Sequence, residues 1–418
     1  MTALGTQAMS TGSDLTGRTF VLLQGPSSPF FAAVGLALRR RGADVVRIGF
    51  CPGDRLYWRR AAGRYVPFRG HPRAFGAWLL DKLATFGATD ILMLGDGRDL
   101  HAHAAAAIRT AEAPVRVWIV EHGYLRPGYI LIEPDGMGGS STIPARFDAA
   151  PEPSQMLDDA APRGSSFAAY AAMDVGYHMA NLLAARVFYP HYRAHSGVPP
   201  LEEYRGWAGK LMRSPQRRAG RSAALDAIAR HGGPLYLFPL QLSQDTQLMK
   251  SGTGEPQETV LDGVARSFLD HAPDDAMLVV KVHPLDNGLT DWAGLTADYG
   301  ERVLFLDGGD LDALLARAAG VVTINSTVGL QALRNGVPVH ALGRAIYRAA
   351  GLTDRQPLDT FWAEPGAPDQ ARVDTFIGFL RSNFHVRGTF DGPGAQTGAE
   401  ALADWLAAPP DAAWGPAP

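Results

Sequence analysis

Lys281 and His283 stand two residues apart at the end of the apolar run "AMLVV", in a chain with only four lysines. A cation and an imidazole there, closed by Pro284, suit a phosphate or another anion; a strand end surfacing into solvent is the plainer alternative. The stretch "INSTVGLQAL" offers matching chemistry. A strand ends at Ile324, and Asn325, Ser326 or Thr327 can cap the next helix. A helix start presents free backbone N–H groups and the positive end of a dipole, a ready anion site. Taken alone, this motif reads equally well as ordinary N-capping. Lys281 and His283 on a neighbouring strand end tilt it toward an anion such as the phosphate of a nucleotide.

A second group of residues is acidic and basic together. In "VEHGYLRPGYILIE", Glu121 directly ends a strand, where a carboxylate needs a partner or a task. His122 comes next, and a structural Glu121–Arg126 ion pair is a serious competitor to a catalytic role. "GDGRDLH" sets Asp96, Arg98 and His101 after another strand. Gln24 follows the first strand and Gln241 follows "LYLFPL". Asp310 to Asp312, "DLD", matches an acidic pattern by which some sugar transferases hold a divalent metal. It precedes a helix, where acids favour the N-terminus anyway, so no obligatory metal is expected. Six strand ends carrying polar or catalytic-type residues on one topological face form the strongest signal in the sequence.

The elements that position them alternate. "TFVLLQG", "ADVVRIGF", "DILMLG" and "VRVWIV" read as buried strands separated by helical patterns, with Gly42 as a helix stop. Strands resume at "LYLFPL", "MLVVKV", "RVLFLD", "GVVTIN" and "VPVHAL". Short strands alternating with helices mean parallel sheets wrapped by helices, with ligands at the carboxyl ends of the strands. The expected organisation is a flexible leader (1–18), an N-terminal Rossmann-like lobe (19–150) and a helical and linker crossing (151–225). A C-terminal Rossmann-like lobe (226–390) and a C-terminal helix with a disordered tail (391–418) complete it. The crossing contains one clear helix, "FAAYAAMDVGYHMANLLAARVF", and a polar, Arg-rich stretch up to "RSPQRRAGRSAA".

The chain of 418 residues, with 46% hydrophobic and 19% charged residues, is that of a soluble globular protein of two domains. A net charge of −3 gives no case for nucleic acid as a partner. The single cysteine, Cys51, rules out an intrachain disulfide and suggests no oxidising compartment. No stretch reaches the roughly 18 apolar residues of a membrane span. A cytoplasmic location is expected, and contact with a membrane surface is compatible with it. Ten arginines lie between Arg39 and Arg73, interleaved with Tyr57, Trp58, Tyr65 and Phe68. Such clusters bind anionic lipid head groups, although solvated faces are commoner.

The motifs converge on a family. "VLLQGPSSPFFAAVGLALRRRGADVVRIGFCPGDRLYW", "GDGRDLHAHA", "EHGYLRPGYILIE", "FPLQLSQDTQL", "KVHPLD", "INSTVGLQAL" and "LDTFW" fall, in this order, as in bacterial capsule polysaccharide biosynthesis/export proteins of the KpsS/LipB type. The chain resembles that family from about residue 19 to about residue 391. The resemblance implies an α/β fold of the GT-B kind, two Rossmann-like lobes with parallel sheets facing a central cleft. It implies a β-Kdo glycosyltransferase that moves 3-deoxy-D-manno-octulosonic acid (Kdo) from CMP-Kdo, with retention, to a phosphatidylglycerol-type lipid or a Kdo linker. The CMP-sugar is a substrate, and no cofactor is implied. The implied setting is the cytoplasmic face of the inner membrane, with an anionic lipid acceptor and other capsule assembly proteins as partners.

The resemblance also implies roles. Lys281, His283, Pro284, Asn325, Ser326, Thr327 and Gln241 would hold the nucleotide, Lys281 neutralising the departing CMP. Glu121 would be the catalytic carboxylate, His122 or His101 the general acid/base, and Asp96 a reserve. Gln24, Arg98 and Arg126 would hold sugar or acceptor, an arginine pairing with the sugar carboxylate. Related Kdo transferases carry Glu-Asp-Gly where this chain has Glu121-His122-Gly123, a departure that leaves the nucleophile open. Two rival classes are a non-enzymatic export factor for the lipid-linked polymer and a GT-B-like sugar-nucleotide epimerase.

Overall fold

Apolar runs too short for helices and rich in Val, Ile, Leu and Phe become the inner strands of two sheets. The structure is a computed structural model that describes residues 14–149, 167–193, 200–242 and 252–410. Its strands are β1 (Thr19–Leu22), β2 (Asp44–Gly49), β3 (Arg64–Pro67), β4 (Asp90–Leu94), β5 (Arg116–His122) and β6 (Tyr129–Pro134). They continue as β7 (Leu235–Pro239), β8 (Met277–Lys281), β9 (Val303–Leu306), β10 (Ala318–Thr323), β11 (Val339–Ala341) and β12 (His385–Arg387). In the first sheet, β3, β2, β1, β4 and β5 are parallel neighbours in that order. Antiparallel β6 and β12 extend it beyond β5. The second sheet is wholly parallel, in the order β11, β10, β7, β8, β9. Both sheets are thus Rossmann-like, and each reverses its strand progression once, at β1/β4 and at β7/β10. Ligands of such sheets bind outside the carboxyl ends at those reversals.

Parallel strands covered on both faces lose the polar alternation of one-sided sheets. Phe20, Val21 and Leu22 of β1 are all fully buried, as are Ile91, Leu92 and Met93 of β4. Full burial of each such side chain contributes roughly 1.5–3 kcal/mol. The polar exception, Asp90 at the base of β4, is itself fully buried. Burial would raise its pKa, but donation by Arg18 (2.6 Å), Thr89 (2.6 Å) and Trp118 Nε1 (2.8 Å) outweighs that and holds the carboxyl below its usual range. Helix Phe30–Arg40 ends where the sequence places its stop, with Gly42 at φ +92 just beyond it.

The chain divides into two compact units. One comprises residues 1–136, 157–193 and 381–417, the other 137–156 and 194–380, with the last residue. The described parts of the segments expected to link or dangle are therefore structural. Residues 14–18 are held, with Leu15 buried and Arg18 bonded to Asp90; the leader's residues 1–13 lie outside the described residues. Within the expected crossing, helix Phe167–Phe188 belongs to the first unit and helix Ser214–Arg230 to the second. Together with helix Pro200–Met212, the latter covers most of the described part of the stretch read as a polar linker. The second unit ends at Leu380 rather than near 390, because β12 adds to β6. Helix Gly394–Ala407 then packs on helix Phe30–Arg40, where Arg41 bridges Glu400 (3.0 Å) and Asp404 (2.7 Å). Of the expected tail, residues 411–418 lie outside the described residues.

Candidate functional site

In the first unit, β5, β4 and β1 are neighbours, so the residues just beyond their carboxyl ends share one edge of the sheet. Gly95 N–H bonds to Val120 O (3.0 Å), and Leu94 N–H bonds to Gln24 O (3.2 Å). Gln24, Asp96, Arg98, Glu121 and His122 are thereby brought together. Gly95, at φ +61, is the residue that permits this closeness: a Cβ there would lie 3.2 Å from Glu121 Oε2. Glu121 Oε1 accepts the His122 N–H at 2.9 Å. Desolvation raises the Glu121 pKa and nearby Asp96 adds to it, against the His122 bond and the charges of Arg98 and Arg126. The His122 ring packs edge-on against Phe390, 4.7 Å between centroids. The protein around it and the positive charge of Arg126 lower its pKa to about 4 although the ring still reaches solvent, so the imidazole is neutral.

Three expectations are corrected by this geometry. The Glu121–Arg126 ion pair does not form; Arg126 Nε donates to Gly123 O (3.2 Å) and acts on Glu121 only through its field. His101 is fully buried rather than presented to a substrate. Its Nδ1 lies 3.0 Å from Leu94 O and 2.8 Å from Gly95 O, so it carries the proton and ties down the end of β4. Burial and the neighbouring Arg98 charge lower its pKa to about 3. Gln24, too, is buried: its amide donates to Tyr177 hydroxyl (2.7 Å), within a network that includes Cys51, Asp54 and Arg47. It braces the strand end. Arg98 stays half-exposed, with Nη1 on Gly25 O (3.3 Å).

The second unit repeats the arrangement at β10, β7 and β8. At the β7/β10 reversal, Gln241 Nε2 donates to Asn325 Oδ1 (2.8 Å) and Asn325 N–H to Gln241 Oε1 (3.3 Å). Gln257 fixes Gln241 in turn, accepting its N–H at 2.7 Å. Ser326 is the N-cap of helix Thr327–Arg334 and accepts the Val328 N–H (3.2 Å). Thr327 starts that helix half-exposed. Lys281 ends β8 level with Pro239 of β7 and is buried. Desolvation lowers its pKa, the Asp307 charge partly opposing. A cation so placed gains from an incoming anion. His283 is half-exposed, its Nδ1 accepting the Leu285 N–H (3.1 Å), and Pro284 is exposed beside it. Asp310 caps helix Leu311–Leu315, and Asp312 accepts from Gln331. Among the described residues, no group of three His, Cys, Asp or Glu side chains is placed to hold a metal.

Sequence reasoning missed residues that arrive from far along the chain. Phe390 and Asp391 come from "RGTFDG", a stretch that carried no decodable motif. Ser28 Oγ donates to Phe390 O (2.7 Å) across 362 residues, seating the segment beside His122. His385 Nε2 accepts the Tyr124 N–H (3.0 Å), fixing the turn after β5. In the second unit, Gly343 N–H bonds to Ile324 O (2.8 Å), which sets exposed Arg344 next to Asn325. The rule that strand ends bear the chemistry would have found Arg344 had it been applied to "VPVHAL".

Comparison with known proteins places the chain in a family. The profile of a family described as "Capsule polysaccharide biosynthesis protein" matches residues 89–390. The chain is 31% identical over 387 residues to the capsule polysaccharide export protein KpsS of Escherichia coli, covering 90% of this chain and 97% of that protein. It is 28% identical over 388 residues to the capsule polysaccharide modification protein LipB of Neisseria meningitidis serogroup A, covering 90% and 92%. Among solved structures, it is similar to Thermosulfurimonas dismutans KpsC, a beta Kdo 2,7 transferase, at 14% identity and a TM-score of 0.44 over 93% of this chain and 100% of that one. That likeness is too loose to carry an argument.

Proposed function

The chain belongs to the capsule polysaccharide biosynthesis family, and on that premise we propose that it is a glycosyltransferase transferring Kdo from CMP-Kdo. The acceptor in this reading is a phosphatidylglycerol-type lipid or a Kdo linker, used with retention at the cytoplasmic face of the inner membrane. The observation that carries the reading is the doubled strand-end chemistry. One unit carries a desolvated lysine and a histidine at the end of β8 and a capped helix N-terminus after β10, the two strands that flank β7, while the other gathers a carboxyl of raised pKa with two arginines.

In the proposed reaction the bond from the sugar's anomeric carbon to the CMP phosphate breaks, and its electron pair leaves with the phosphate. Lys281, His283 and the Ser326–Thr327 helix start meet that charge without reorganising, which is how preorganised groups stabilise a leaving group. Asn325 and Gln241 hold the loop that presents them. The acceptor hydroxyl attacks the anomeric carbon and yields its proton to Glu121. A carboxylate whose pKa is raised is the stronger base, which suits Glu121 to take that proton near neutral pH. Retention is then served by attack on the face from which CMP departs. Arg98 and Arg126 are assigned to the sugar carboxylate. Asp96 raises the Glu121 pKa, and neutral His122 offers a hydrogen bond to the incoming hydroxyl.

The test is direct transfer. The purified protein is mixed with CMP-Kdo, generated in place, and a fluorescent phosphatidylglycerol analogue, and products are read by mass spectrometry. A gain of one Kdo supports the reading. CMP binding without transfer refutes the donor or the acceptor. Neither binding nor transfer favours the second reading, a non-enzymatic export factor, toward which the name of the E. coli relative points.

A further inference from the structure

Helix Phe167–Phe188 has a buried face and, opposite it, an exposed apolar face. One face, with Tyr177, Asn181 and Ala185 at a four-residue spacing, is buried against the first unit. The opposite face carries Val175, Met179, Leu182, Leu183 and Val187, and the last three are 74, 76 and 75% exposed. An exposed apolar stripe of this kind marks a surface that meets a partner or a membrane. Arg186, exposed in the middle of this stripe, has a stem long enough to lie along an apolar surface and hold its charge at the water boundary.

The neighbouring segment supplies charge. Arg55, Arg59, Arg60, Arg64, Arg69 and Arg73 are all exposed, and residues 55–73 contain no acid. Among the described residues none of the six makes an ion pair. Arg55, Arg60 and Arg64, with Arg39 and a single acid, Asp44, line a recess of about 770 Å³. The recess adjoins the helix. Its wall residue Tyr65 bonds through its hydroxyl to Tyr189 (2.8 Å), and Tyr57 hydroxyl donates to Met173 O (2.7 Å).

We propose that the outer face of helix Phe167–Phe188 and the arginines of residues 55–73 form one docking surface for an anionic lipid bilayer. The apolar stripe enters the acyl boundary, and the arginines, paired with no acid among the described residues, meet headgroup phosphates. A second copy of this chain would bury the stripe equally well but would bring the arginines no counter-charge from it, since the stripe's own charged residue is Arg186. The inference rests on the membrane-face location in the proposed function and names the surface that would make the contact; its test needs neither Kdo nor CMP.

Flotation of the full chain with phosphatidylcholine vesicles, with and without about 30 mol% phosphatidylglycerol at about 0.15 M salt, tests it. The wild type binds the anionic vesicles and not the neutral ones. Leu182→Glu, Leu183→Glu and Val187→Glu combined lower the partition coefficient at least roughly tenfold. Arg59→Gln, Arg60→Gln and Arg64→Gln combined lower it on the order of 100-fold and flatten its salt dependence. Because Cys51 is buried, Leu183→Cys gives a single accessible thiol, and an environment-sensitive dye on it brightens on anionic vesicles. No binding, equal binding to both vesicles, or undiminished binding by the glutamate variant overturns the proposal. So does a dark dye, or a glutamate variant that halves the solution mass while binding vesicles as before.

Discussion

Glu121→Gln separates chemistry from fold. The carboxyl sits at the end of β5, accepts the His122 N–H at 2.9 Å and lies against Gly95, with no ion pair among the described residues. Glutamine has the same shape and keeps an oxygen for that N–H, so the turn persists. Desolvation raises the Glu121 pKa, which means that the folded state disfavours the charge. A raised carboxyl adds stability only at low pH and subtracts it once pH passes the folded pKa. The neutral amide removes that penalty, and the melting temperature at pH 7–8 stays level or rises. What the amide cannot do is take a proton. Loss of a positioned general base costs on the order of 10²–10⁴ in rate. Initial transfer rates across pH 4.5–9, with CMP affinity by calorimetry alongside, give the answer. The wild type shows an acid limb above the ordinary carboxyl range; the variant is slower by that factor, lacks the limb and binds CMP within about twofold. A variant that retains activity within about threefold would remove Glu121 from the mechanism. A variant that also loses CMP binding would show that the substitution had disturbed more than a proton.

Three further perturbations test the same geometry. Lys281→Met removes a charge that burial disfavours, so the melting temperature holds or rises, while CMP affinity falls by roughly 10- to 150-fold, the worth of a charge-assisted bond; unchanged affinity in calorimetry would take Lys281 out of the nucleotide site. Ser326→Ala deletes the cap on Val328 N–H and costs about 1 kcal/mol in denaturant unfolding of the second unit. Its CMP affinity should fall as well, and a stability loss with intact binding would reduce Ser326 to a cap. His101, with a folded pKa lowered to about 3, takes up its proton only on unfolding between about pH 3 and the ordinary value of 6.5. Stability should therefore drop as pH falls through that window, and His101→Gln, which can still donate to the β4 carbonyls, should flatten the drop in thermal melts. An identical pH slope in the variant would mean that other groups govern it.

The sequence by itself determined the two parallel sheets and which residues end their strands. Runs such as "TFVLLQG" and "LVVKV" are local signals: their length and apolar content specify a strand covered on both faces, whatever lies elsewhere. The residues just beyond them, Glu121, Lys281 and Asn325 among them, inherit their place from that rule. Strands β3, β6 and β12 escaped the reading: β3 and β12 are short and pair at a neighbour's open edge, so they carry little pattern of their own, whereas "YILIE" of β6 is a buried apolar run that the strand rule would have found. Tertiary structure alone decided the rest, since burial and pairing are set by contacts across the chain. His101 and His122 look alike in sequence, yet packing against the end of β4 sealed one in the core and left the other at the surface. Ser28 meets Phe390 across 362 residues, and no local pattern encodes such a meeting. Helix Phe167–Phe188 was legible as a helix to its end residues, but only the fold showed which of its faces the protein covers and which it leaves bare.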